Sequence, residues 1–150
     1  MISDTHGLLR PEALVALQGS DHILHAGDIG GPEILEQLKT IAPVIAVRGN
    51  VDKGAWAQAL PEAEVFEGGG VAIYMLHALT KLDLKPEAAG FQVVISGHSH
   101  VTQCENRNGV LFFNPGSAGP RRFKLPVSVG KLIVENGRAS AEIVELRIHG

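Results

Sequence analysis

Asp4 and His6 stand two residues apart, and His98 and His100 repeat that spacing. In extended backbone, side chains two apart point to the same face, so each pair can present two ligand atoms together. Asp28, Asn50 and His77 are further donors of the same kinds, and Gly27, Gly49 and Gly97 immediately precede Asp28, Asn50 and His98. Glycine at those positions is expected to let the backbone turn sharply before each ligand. A set of carboxylates, one amide oxygen and imidazoles suits manganese, iron, zinc, cobalt or nickel better than an all-oxygen cation such as calcium. Together these side chains exceed what one ion needs, and with Asp28 shared they divide into two equal clusters.

Each of these motifs follows directly on a short apolar run. Ile2-Ser3 leads into Asp4, Ile23-Leu24-His25-Ala26 into Gly27-Asp28, residues 44–47 into Arg48-Gly49-Asn50, Val71–Leu76 into His77, and residues 93–96 into Gly97-His98-Ser99-His100. Strands that end at one edge of an α/β sheet are the usual way to gather ligand side chains. Residues 11–18 and Pro32–Lys39 read as helices opened by proline, which suits the first helical position. They alternate with strands over 22–26 and 43–48, the pattern of βαβ units and a parallel sheet. The second half reads as strands over 64–67, Val71–Leu76, 91–96, 101–107, 110–113, 127–135 and 139–146, with one short helix over 85–89. Gly68-Gly69-Gly70, Asn108-Gly109 and Asn136-Gly137 read as hairpin turns. The expectation is one α/β domain over residues 1–150, parallel-leaning first and antiparallel-leaning later, with two packed mixed β-sheets flanked by helices.

The chain has 150 residues, 45% of them hydrophobic, and a net charge of -3. That composition supports a folded core. It provides no basic stripe, so a long nucleic acid is not an expected partner. No apolar run approaches a membrane span, and no basic segment followed by an apolar stretch marks a signal peptide. A lone cysteine, Cys104, excludes an intrachain disulfide and fits a reducing compartment. The expected location is the cytoplasm, and self-association is left open.

Asp4-x-His6, Gly27-Asp28, Gly49-Asn50, His77 and Gly97-His98-x-His100 follow one another in the order of the calcineurin-like metallophosphoesterases. The chain resembles in particular their small bacterial and archaeal phosphodiesterase branch, which it also resembles at Asn114-Pro115-Gly116-Ser117 and the following arginines. The resemblance implies a four-layer sandwich and two divalent metal ions, manganese being the first choice. One ion would lie among Asp4, His6, Asp28 and His100, the other among Asp28, Asn50, His77 and His98. It also implies a hydroxide shared by the ions as nucleophile, attacking a small phosphate ester directly at phosphorus. Asp28, Asn50 and His98 would act at the reaction itself. The alternative it implies is a catalytically weak scaffold that keeps this fold for protein binding.

Three positions depart from the family pattern. Val51 stands where many larger relatives have a histidine that protonates the leaving group, and Asp52 is the neighbouring residue that could substitute if its pKa were raised. The competing reading of Asp52 is a solvated loop or turn carboxylate. Leaving groups that need no proton, such as phenolates, are therefore expected to react best. Ala78-Leu79 follows His77 where small relatives often carry Gly-His. Only Met1, Ile2 and Ser3 precede Asp4, which suggests a start recorded a few residues late and a fraying first strand. Of the other histidines, His25 reads as a buried core residue, and His22 and His149 as surface residues. Arg121 could bind phosphate or brace the turn before it, and Cys104 reads as an unreactive strand residue.

Overall fold

Proline opens both longer helices in the computed structural model, which describes residues 1–148, so that the position of His149 lies outside the described residues. Helix α1 (Pro11–Ala16) and helix α2 (Pro32–Lys39) both have proline in the first turn, where its missing N–H costs no hydrogen bond. Helix α2 buries Ile34, Leu35 and Leu38, one face of a 3.6-residue period. Strand β1 (Ile23–His25) leads through α2 to strand β2 (Val44–Ala46), which pairs with it in parallel. This is the expected βαβ unit.

The second half contains helix α3 (Ala55–Gln58), strands β3 (Ala63–Gly68) and β4 (Val71–Leu76), a 3-10 turn (Leu79–Lys81) and helix α4 (Pro86–Ala89). Strands β5 (Val93–Ile95), β6 (Gln103–Arg107), β7 (Val110–Asn114), β8 (Ser128–Glu135) and β9 (Arg138–Glu145) complete it. Strands β3 to β7 form one sheet in the order β3-β4-β5-β7-β6. Its centre is parallel, β4 to β5 to β7, and only the two edge hairpins are antiparallel. The second half leans antiparallel, with three antiparallel pairings against two parallel ones, and this sheet is mixed, as expected. Asn-Gly turns join β6 to β7 and β8 to β9, with both residues of each turn at positive φ as a primed turn requires.

The fraying start is also corrected. Ile2 bridges His25 in parallel, and its N–H donates to the Leu24 carbonyl at 3.0 Å. On the other side Met1 and Gly130 exchange two hydrogen bonds of 2.8 Å. Met1–Ser3 therefore lies between β1 and β8 and joins the pairs β1-β2 and β8-β9 into one layer, the first sheet. Ile2 and Ser3 are fully buried, and burial pushes the Met1 amino group down to about 5.

Met1, Leu24, Val47, Ile73, Ile95 and Phe113 form the core between the two sheets. Ile2, Leu17, Ile23, Ile34 and Leu38 pack the first sheet against α1 and α2. Leu76, Val94 and Val110 meet Leu79 and Leu82 on the outer face of the second sheet. The four-layer sandwich is borne out, with a thin fourth layer made of the 3-10 turn and α4. No helix among the described residues is long and apolar enough to cross a membrane. Helix α3 and the 3-10 turn were not foreseen, because four and three residues are too few to show a period.

Candidate metal centre

The carboxyl ends of the Met1–Ser3 segment, β1, β2, β4 and β5 meet at one edge. Asp4 Oδ1 lies 3.7 Å from His6 Nε2 and 3.4 Å from His100 Nε2. Asp28 Oδ2 lies 3.1 Å from His77 Nε2 and 3.7 Å from His6 Nε2. Asp4, His6 and His100 form one group whose ligand atoms all fall within 4.8 Å of one another, and Asp28, His77 and His98 form a second. His6 stands between the two carboxylates. Asn50 is exposed and lines a cavity with His77 and His98. All the side chains singled out as ligands are thus brought to one place.

The donor atoms fit a cation. Asp4 Oδ1, His6 Nε2, His77 Nε2 and His100 Nδ1 are buried without a hydrogen-bond partner, which is costly unless something else satisfies them. Their neighbours fix which atoms stay free. Asp4 Oδ2 accepts the Ser3 hydroxyl at 2.6 Å and the His98 amide at 3.0 Å, leaving Oδ1 open. His77 Nδ1 is 2.7 Å from the Ala26 carbonyl and must donate to it, so its Nε2 presents a lone pair. Asp28 Oδ1 accepts the Val51 amide at 3.1 Å, leaving Oδ2 toward the histidines. Such outer hydrogen bonds orient metal ligands and set their tautomers.

Electrostatics follows from the same contacts. Burial alone would raise the Asp28 carboxyl, but the His77 ring nitrogen 3.1 Å away, the Val51 amide and the nearby histidine charges hold it below the usual range. Burial likewise opposes protonation of His77, yet the Asp28 carboxylate 3.1 Å away and the bond to the Ala26 carbonyl raise it overall. Burial lowers His100, reinforced by Arg122 and His6 against the pull of Asp4 and Asp28.

The backbone at the site is unusual. Asp4, His6, Asp28, His98 and His100 all have φ between 47° and 71°, a left-handed region that costs a non-glycine residue of order 1–3 kcal/mol. The flanking glycines divide by role. Gly27 has φ 100° and does make the expected sharp turn. Gly49 and Gly97 do not have positive φ; they allow close approach instead. A Cβ on Gly49 would sit 2.2 Å from the Asp28 nitrogen, and one on Gly97 2.0 Å from Ser3 Oγ.

Buried residues of the Asn114-Pro115-Gly116-Ser117 turn hold the ligand loops. Asn114 Nδ2 donates to the Gly97 carbonyl at 3.0 Å, and Ser117 Oγ donates to the Asp4 carbonyl at 3.0 Å. The Asn-Pro-Gly-Ser turn therefore clamps both ends of the first ligand group. Arg121 is exposed and donates to the Leu125 carbonyl at 3.3 Å, bracing its own loop. Asp52 is 4% exposed, which corrects the solvated-carboxylate reading. Its oxygens accept the amides of Ile29, Gly30 and Gly49 at 2.9 to 3.1 Å. It ties the Asp28 loop to the Asn50 loop.

His25 is fully buried, as expected. Its Nδ1 accepts the Gly27 amide at 3.1 Å, so Nε2–H donates to Thr5 Oγ1 at 3.0 Å, and that hydroxyl donates to the Ile29 carbonyl. Burial, then the charges of His77 and the amino terminus, push His25 down to about 3. The unfolded chain binds a proton near 6.5 that the folded chain refuses, so this contribution is complete above that pH and declines as pH falls toward 3. Between pH 7 and pH 5 His25 should remove about 2 kcal/mol of stability. His25→Asn keeps an acceptor for Gly27 and should flatten the pH dependence by that amount in denaturant titrations. Parallel curves for the two proteins would contradict this.

Comparison with known proteins agrees with the geometry. Residues 1–137 match the sequence model of the calcineurin-like phosphoesterase superfamily domain. A protein of Methanocaldococcus jannaschii named "Probable metallophosphoesterase" is 36% identical over 149 residues, covering 91% of this chain and 75% of its own. The phosphodiesterase YfcE of Escherichia coli is 29% identical over 161 residues, covering 87% of this chain and 84% of its own. Among solved structures, Vps29 of Chaetomium thermophilum superposes with a TM-score of 0.77 at 22% identity, over 97% of this chain and 94% of that one, a likeness of fold.

Proposed function

The chain belongs to the calcineurin-like phosphoesterase superfamily, and from that premise we propose that it is a phosphodiesterase dependent on two divalent ions, manganese the first choice, acting on a small phosphate ester in the cytoplasm. The observation that carries this reading is the set of buried, unpartnered donors Asp4 Oδ1, His6 Nε2 and His77 Nε2 around Asp28. Diester specificity is supported by the relative named a phosphodiesterase. Retention of the whole donor set favours catalysis over a scaffold role.

Asp4, His6, Asp28 and His100 would hold one ion, and Asp28, Asn50, His77 and His98 the other. Bound ions of this kind supply Lewis acidity to a phosphoryl oxygen and acidify water. The protein's own part is positional. Ser3 and the His98 amide aim Asp4, Ala26 fixes the tautomer of His77, and Val51 aims Asp28. Asn50 and His98 are the exposed members and face incoming substrate. Val51 cannot give a proton, and the Asp52 oxygens are committed to backbone amides. We assign Asp52 to positioning, and this again favours phenolate leaving groups.

Bound metal should be counted in the purified protein, and bis(p-nitrophenyl) phosphate assayed with added Mn²⁺. The expected result is metal-dependent turnover, lowered at least about a hundredfold in His98→Ala. Absence of metal-dependent turnover in the parent would remove the enzymatic reading. Equal turnover in the variant would remove the site assignment.

A further inference from the structure

We propose that the cavity beside Asn50, His77 and His98 binds one arm of the diester, and that this arm is an uncharged, flat, ring-bearing alcohol. The proposal rests on the phosphodiesterase reading for the phosphate's position. The cavity has a volume of about 460 Å³ and opens directly from those three residues. That is the size of pocket that buries a drug-sized organic group, far more than a phosphate or a methyl ester needs.

Its lining decides the chemistry. Ala63, Tyr74, Leu76 and Ala78 supply apolar wall. The Tyr74 ring is braced by Phe91, with ring centres 5.2 Å apart, so an aromatic ring is held in the lining where a planar partner could pack. The charged residues of the lining cancel. Arg48 is engaged by Glu62 at 3.1 Å, and Lys81 and Asp83 contribute one charge of each sign. A polyanionic arm, such as a further phosphate chain, would find no net positive charge there. A ring-bearing neutral arm loses apolar surface to Tyr74 and Leu76 without leaving a charge unpaired. Ala78 is part of the wall. It directly follows His77 and has extended backbone, φ -111° and ψ 119°, which any larger residue can adopt.

The test uses three unactivated diesters as ligands of the Mn²⁺-loaded protein: dimethyl phosphate, methyl phenyl phosphate and thymidine 5′-methyl phosphate. Binding is read by calorimetry. Both ring-bearing diesters should bind at least about tenfold tighter than dimethyl phosphate, and Ala78→Phe should reduce that preference to less than about threefold. Thr80→Trp, also in the lining, serves the same purpose if Ala78→Phe does not fold, as judged by circular dichroism. The ratio between phenyl and thymidine ligands tells an aryl arm from a nucleoside arm. Equal affinity for all three, or a preference that survives both substitutions, overturns the proposal. A ring preference without turnover of bis(p-nitrophenyl) phosphate would leave the pocket standing and the phosphodiesterase reading refuted.

Discussion

Asp28→Ala is expected to abolish high-affinity metal binding and lower turnover of an aryl phosphodiester at least about a thousandfold, as loss of about 4 kcal/mol of charge stabilisation would do. The size follows from position. Asp28 Oδ2 faces both His77 and His6, at 3.1 and 3.7 Å, and so lies within reach of both proposed ligand groups. No other carboxylate can replace it, because Asp4 belongs to the first group and directs its second oxygen to Ser3 and the His98 amide. Alanine also frees the Val51 amide, so part of the loss could come from a displaced Asn50 loop. Asp28→Asn separates the effects, since its amide oxygen can still accept from Val51. It should keep the parent's thermal midpoint while losing metal. An Asp28→Asn protein that binds as much metal as the parent would show that the carboxylate is not the shared ligand.

Asp52→Ala should be the most destabilising exchange near the site that touches no proposed ligand side chain. It strips the acceptor from the Ile29, Gly30 and Gly49 amides. Each buried donor left unpaired costs about 1–3 kcal/mol, so the three together cost about 3–9 kcal/mol. Against a domain stability of about 5–15 kcal/mol, the melting midpoint should fall by at least about 6 °C. Metal affinity should fall with it, because the Asp28 and Asn50 loops lose their common anchor. Asp52→Asn keeps one carbonyl oxygen and should show roughly half the loss. A proton donor would behave differently: Asp52→Asn would leave the midpoint alone and slow only esters with poor leaving groups. Calorimetric melting alongside turnover of alkyl and aryl diesters distinguishes the two roles.

The ligand motifs were legible because each is a polar break in an apolar run. Val71–Leu76 before His77 and the Asn-Gly turns at 108 and 136 have the same bounds in sequence and structure. What was not legible depends on partners distant along the chain. Asp52 reads as a loop carboxylate until Ile29 and Gly49 are seen around it. Gly97 reads as a hinge until Ser3, far away in sequence, is found against it. The first strand looked too short to be stable, because strand length is a local measure. Its security comes from β1 on one side and Gly130 on the other. The parallel β4-β5-β7 centre was hidden for a related reason: the link from β4 to β5 is a 3-10 turn and one helical turn, too brief to signal a crossover.

The left-handed φ angles of Asp4, His6, Asp28, His98 and His100 carry an evolutionary consequence. Glycine would relax the backbone at every one of these positions, so heat resistance alone selects against the residues now there. A lineage of this fold that abandoned its ions would be released from that conflict, and substitutions there would accumulate with a gain in durability. Aspartate and histidine at these angles set the proposed ions and the durability of the bare fold in direct competition, a conflict written in the backbone itself.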